Sequence, residues 1–170
     1  MRYGGITAAV LIVAGLVAQL AGISTPEQQA NPSTMSYVYN FLTFVIWIGG
    51  VVMAVRAFRT GNGGYATFGQ AFKTSFFTFL VIGLISAVWT YINFSFIMPE
   101  FLGEMMEYQR EALAEQGMDE ETIDIAMSYS SMFATPVGIA GYLLVMSLIG
   151  GAIVSAIIGA IMKKDEPQFS

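Results

Sequence analysis

The sequence predicts an all-α fold: a four-helix transmembrane bundle with an external amphipathic helical hairpin between spans three and four, in a single membrane domain over residues 1–170. Three observations carry the prediction. Hydrophobic residues make up 55% of the chain and charged residues 11%, against roughly half and roughly a quarter in soluble domains. The charges leave four long gaps, from Arg2 to Glu27, Glu27 to Arg56, Lys73 to Glu100 and Asp124 to Lys163, each able to hold one span. Between the last two gaps lies a segment dense in glutamate, whose charges recur at helical spacing.

The first span is expected over about 4–23, where Ile6, Val10, Leu11, Ile12, Val13, Leu16, Val17 and Leu20 supply apolar length and Arg2 anchors the inner end. A cleavable signal peptide would want small residues just before its cut, and Gln19 two positions before Ala21 breaks that pattern, so the helix is read as retained. Residues 24–36, with Pro26, Asn31 and Pro32, read as a short polar loop. The second span, about 37–56, carries Tyr37, Tyr39 and Trp47, aromatics suited to a membrane boundary, and Gly61, Gly63 and Gly64 follow as a flexible inner turn.

Helix resumes around Phe68, and the third span, about 70–98, stops before Pro99, which cannot join a preceding helical ladder without cost. A helix of about thirty residues must tilt, protrude or begin at the interface, and Lys73 can snorkel from its first turns. The external hairpin, about 99–133, reads as two short helices, with Gly117 ending the first and Asp119, Glu120 and Glu121 opening the second. The fourth span, about 136–162, follows Thr135 as a cap and Pro136 at the first helical position, and it ends before Lys163 and Lys164. No internal repeat is visible, so an inverted-repeat transporter is not suggested.

Orientation follows from the basic residues. Arg2, Arg56, Arg59, Lys73, Lys163 and Lys164 fall on one side of a four-span arrangement and only Arg110 on the other. Short loops rich in Lys and Arg stay in the cytoplasm, which places both termini there and the glutamate-rich segment outside. The chain has no cysteine and no histidine, which removes disulfides, thiolate nucleophiles and the usual metal ligands. No catalytic, cofactor-binding or metal-binding residues are therefore assigned, and no cofactor is expected. A net charge of -5 without a basic cluster argues against nucleic acid.

Ser147, Gly151, Ser155 and Gly159 recur every four residues and form a candidate helix-packing seam in the last span. The seam serves packing against another span of the same chain, for which Ala14, Ala18 and Gly22 offer a natural surface, or a homo-oligomer. Gln19, Thr43, Thr78, Ser86, Thr90 and Asn93 are polar but not ionisable, whereas pumps and proton-coupled carriers usually place charge in the membrane. These side chains are read as hydrogen-bonding across helices or to carbonyls, and the competing reading is a neutral path for a small solute.

Glu100, Glu104, Glu107, Glu111 and Glu115 fall within an arc of about 80° of a helix and form the candidate interaction surface. Phe101, Leu102, Met105, Met106, Ala112 and Leu113 take the other side. Like charges four residues apart oppose a helix by a few tenths of a kcal/mol each, so the stripe calls for water, cations or a basic partner. Weak divalent cation binding fits less well, because calcium wants several converging oxygens and a straight stripe spreads them out. Methionines 98, 105, 106, 118, 127 and 132 crowd the same segment; without histidine, cysteine or a tight repeat they read as apolar filler before copper ligands.

Several short motifs carry a resemblance: Gly64-Tyr65-Ala66-Thr67-Phe68-Gly69-Gln70-Ala71-Phe72, Tyr91-Ile92-Asn93, Pro99-Glu100, the Gly117-Met118 turn, the acidic helix after it and the glycine-rich last span. In their order the chain resembles the domain of unknown function 4199 family of small bacterial membrane proteins. The resemblance implies four spans and a bacterial cell membrane and brings no activity with it. The expectation is a non-enzymatic structural or partner-binding membrane component, in contact with the lipid bilayer and with a protein partner or further copies of itself. A small-solute transporter or channel subunit is the alternative, and an enzyme comes third.

Overall fold

A computed structural model describes residues 2–166. Its elements in order are α1 (Arg2–Leu20), α2 (Pro26–Ala30), α3 (Thr34–Gly61), α4 (Phe68–Ile92), a π-helical turn (Asn93–Ile97), α5 (Phe101–Glu115), α6 (Glu120–Phe133) and α7 (Pro136–Met162). The described residues form no strand; a single antiparallel bridge joins Ala66 and Lys164. Among the described residues four helices are long and apolar enough to cross a membrane: α1, α3, α4 with its π-turn, and α7. The described residues are all-helical, as the sequence predicts.

The element ends have local causes. α1 stops at Leu20 rather than near Ile23, because Gly22 takes φ +69° and lets the Ile23 and Ser24 amides turn back onto the Ala18 carbonyl at 2.8 and 3.2 Å. Residues 24–36 are not simply loop. Thr25 accepts a bond from the Gln28 amide at 3.3 Å and Pro26 occupies the first turn, which together start the short helix α2. The Gln28 side chain then accepts from the Ser33 amide and the Ser36 hydroxyl, fixing the entry into α3.

α4 starts on a reciprocal cap, in which the Thr67 amide donates to Gln70 Oε1 at 2.9 Å and the Gln70 amide donates to Thr67 Oγ1 at 3.3 Å. α5 ends at Glu115, and Gly117 just beyond it takes φ +77°. Asp119 opens α6 by accepting from the Thr122 amide at 2.9 Å and from its hydroxyl, also at 2.9 Å. Those bonds hold the Asp119 carboxyl below its ordinary pKa. The cap is therefore in place at neutral pH and is lost as pH falls through that lowered value. Thr135 caps α7 by accepting from the Gly138 amide at 3.0 Å.

The chain divides into two compact units. One draws on the chain up to Leu11, on Phe44–Ser86 and on the chain from Leu143. Its core gathers Val51, Val55, Ala66, Ala71, Phe79, Ile82 and Ile158. Phe79 is fully buried and meets Trp47 edge-on, with ring centroids 5.0 Å apart. Close helix approaches surround this core. Gly50 leaves room for Thr7, Gly4 for Val81, Gly83 for Ser147, and Gly151 for Phe79.

The other unit draws on Ile12–Thr43 and Ala87–Tyr142. Here α5 lies along α2 and also touches α6. Arg110 of α5 pairs with Asp124 of α6 at 2.8 Å, an exposed ion pair that contributes little to stability.

Apolar surface remains on the outside of the long helices. Ile149, Ile153, Ile157 and Ile161 form an exposed row on α7, and Ile6, Val10, Val13, Val17 and Leu20 are exposed on α1. Soluble monomers rarely present contiguous apolar patches beyond a few hundred Å². In hydrocarbon such rows cost nothing.

Candidate functional site

The acidic surface is built on α5. Glu100 precedes the helix, and Glu104, Glu107, Glu111 and Glu115 follow along it, all five exposed. The opposite side is covered: Phe101 and Leu102 are only 3% and 5% exposed, and Met105, Met106, Ala112 and Leu113 are half-buried. Phe101 stacks on Phe94 with centroids 5.1 Å apart, so an aromatic contact fixes the start of α5.

The stripe is not uniform. Glu111 and Glu115 border a cleft of about 170 Å³ together with Glu27, Asn31 and Tyr108. Three carboxylates thus face one small space, two of them from α5 and one from α2. Among the described residues no group of three or more Asp and Glu side chains is placed to hold a metal ion. Glu27 and Asn31 escaped the sequence reading because α2 did. The pattern Thr25-Pro26-Glu27-Gln28 is the signal that reveals it, a capping residue followed by proline.

On another side of α5, Met105, Met106 and Gln109 meet Ser130, Phe133 and Ile139 around a cavity of about 450 Å³. The thioethers act there as flexible apolar wall. Met118 and Met132 are exposed.

The seam residues Ser147, Gly151, Ser155 and Gly159 are all buried. The nearest side chains to Gly151 and Gly159 are Phe79 and Phe68, and Ser147 lies against Gly83, so these contacts are with α4. Gly22 stands in an exposed turn after α1 with open space around it.

Of the polar residues within spans, Thr78 donates to the Thr74 carbonyl at 2.7 Å and Thr43 to the Asn40 carbonyl at 2.9 Å. Among the described residues three buried polar atoms have no partner: Asn93 Oδ1, Ser147 Oγ and Ser155 Oγ. The two serines were read only as small seam residues, and their hydroxyls make them polar as well.

The family described as "Protein of unknown function (DUF4199)" matches residues 2–164. The chain belongs to this family. No curated protein and no solved structure matches it. In this DUF4199 member the motif Gly64 to Phe72 has a structural account: Ala66 holds the bridge to Lys164, Thr67 and Gln70 cap α4, and Phe68 and Phe72 stack at 6.1 Å.

Proposed function

We propose that this DUF4199 chain is a non-enzymatic structural or partner-binding component of the bacterial cell membrane. It crosses the bilayer four times with both termini cytoplasmic and displays α5 and α6 outside as an acidic hairpin. The observation that carries this is the division of α5, whose four glutamates, with Glu100 just before it, are exposed while Phe101 and Leu102 are buried. A helix so anchored offers a negative surface on a fixed base, suited to a basic patch on another protein. Membrane-surface helices usually carry Lys and Arg on the polar side, so adhesion of this stripe to anionic lipid is disfavoured.

Topology is tested with fused reporters. Those placed after Lys164 and between Arg59 and Gly64 are expected to read cytoplasmic, and one at Gly117 external. An external signal after Lys164 would defeat the orientation.

The division of α5 is tested separately by cysteine labelling, in a chain with no cysteine of its own. A membrane-impermeant maleimide should modify Glu107→Cys and Glu111→Cys fast, Met106→Cys and Leu113→Cys slowly, and Leu102→Cys slowest. Equal fast labelling at all five would show that α5 is detached.

A second reading, a small-solute transporter or channel subunit, draws on Asn93 Oδ1, Ser147 Oγ and Ser155 Oγ. Buried polar groups without partners are costly and call for a reason. Solute flux in reconstituted vesicles that Asn93→Leu abolishes would favour it. Reproducible co-purification of one protein, lost when the α5 glutamates become glutamine, would favour the first.

A further inference from the structure

Arg56 and Arg59 stand one turn apart near the end of α3 and line a cleft of about 320 Å³ with Thr60 and Gly64. Among the described residues neither guanidinium pairs with a carboxylate, since the ion pairs present are those of Arg110. Arg59 places one Nη 3.4 Å from the Met162 carbonyl, a long bond that uses one of its five donors. A cation at the carboxyl end of a helix is ordinarily explained by the helix dipole. That accounts for Arg59. It does not account for a second arginine one turn earlier, exposed and facing the same space.

The cleft has a held frame. Thr60 donates to the Arg56 carbonyl at 3.0 Å, and the Gly64 amide donates to the Arg59 carbonyl at 2.8 Å. Ala66 and Lys164 exchange both backbone bonds at 2.9 and 2.8 Å, and Lys164 Nζ lies 5.4 Å over the Tyr65 ring. Two forked donors on one helix turn match the several oxygens of a phosphate better than a single carboxylate.

We propose that this cleft binds the phosphate of an anionic phospholipid headgroup. The lipid source follows from position. The cleft sits at the end of a helix long enough to span a bilayer, where Gly64 leads into Tyr65, and the ends of bilayer-spanning helices lie at headgroup depth. Basic pockets between helix ends at this depth recognise such headgroups. The proposal rests on the membrane reading only in setting this end of α3 at a bilayer boundary. It holds for either orientation of the chain.

The test uses the purified full chain in neutral detergent with phosphatidylglycerol or phosphatidylcholine added, read by native mass spectrometry and thermal melting. Phosphatidylglycerol is expected to give a one-to-one adduct and raise the melting temperature, and phosphatidylcholine neither. Arg56→Gln with Arg59→Gln should weaken the adduct by roughly tenfold or more, whereas Lys73→Gln, which removes a cation outside the cleft, should leave it. Because the Met162 contact could matter to folding, Arg56→Gln alone is measured as well; its exposed side chain can be lost without unfolding, and it too should weaken the adduct. Unchanged binding in the arginine variants, or equal loss in Lys73→Gln, would overturn the proposal. Equal stabilisation by inorganic phosphate at the same concentration would reassign the site to a soluble anion and overturn the lipid source. None of these outcomes depends on the reporters that test topology.

Discussion

Gly50→Ala is expected to destabilise the protein although it adds a single methyl group. A Cβ at Gly50 would fall on Thr7 Oγ1, with Thr7 Cγ2 at 2.8 Å and Cβ at 2.9 Å. Thr7 cannot simply turn aside. Its hydroxyl donates to the Tyr3 carbonyl at 2.8 Å, and a β-branched side chain always points two heavy atoms away from its Cβ. Thr7 is also buried, so α1 and α3 must move apart at this contact. Overpacking of this kind costs about 1–3 kcal/mol, sometimes more. For a chain of this size that corresponds to a drop in melting temperature of roughly 2–4 °C per kcal/mol. Thr7→Ala should recover part of the loss, because it removes two of the three clashing atoms. Gly49→Ala, next door with open space around it, should change little. If the two glycines behave alike in detergent melting, the close approach at Thr7 is wrong.

Gly151→Leu is expected to have a still larger effect. A Cβ there would sit 2.9 Å from Phe79 Cβ and 3.1 Å from its Cγ, before the rest of a leucine is placed. Phe79 is fully buried and held edge-on against Trp47, so it has no vacant side to move into. The cost runs through both contacts: α7 is pushed off α4, and Phe79 is pushed against its aromatic partner. A loss of several kcal/mol follows from overpacking at a site with no room to relax. Gly150→Leu on the neighbouring position meets open space and serves as the control. Melting in detergent checks the pair. An unchanged Gly151→Leu would mean that this face of α7 looks onto lipid.

Much of the fold was legible because its signals are local. Runs without charge locate the four membrane-length helices, Gly117 and Asp119 mark the break between α5 and α6, and Thr135-Pro136 opens α7, each through a property of a few adjacent residues. Pairing was not legible in the same way. Ser147, Gly151, Ser155 and Gly159 announce that something approaches closely, but a row of small side chains carries no information about which helix arrives, and Phe68, Phe79 and Gly83 of α4 are among what meets them. Gly50 passed without notice because its neighbour is forty-three residues away in the chain. The acidic stripe was readable from its period, whereas the contribution of Glu27 depends on α2 lying along α5, a tertiary fact. The paired arginines were read only as topology markers, since nothing in their spacing shows that a cleft forms between them.

The unit around Phe79 is made from the first, second, third and last of the long helices, with Thr7, Gly50, Phe79 and Gly151 meeting their partners there. During synthesis the chain emerges from its amino end, so Phe79 is made well before Gly151 exists. For that interval the side of α4 that will receive α7 is bare. Ser75 and Thr78 can bond their own helix from the start, through the Ala71 and Thr74 carbonyls, and need not wait. Gly83 and Phe79 have no such recourse. The arrival of the last long helix is thus the event that closes this unit, and a ribosome stalled before Leu143 would leave Phe79 and Gly83 without the residues that cover them.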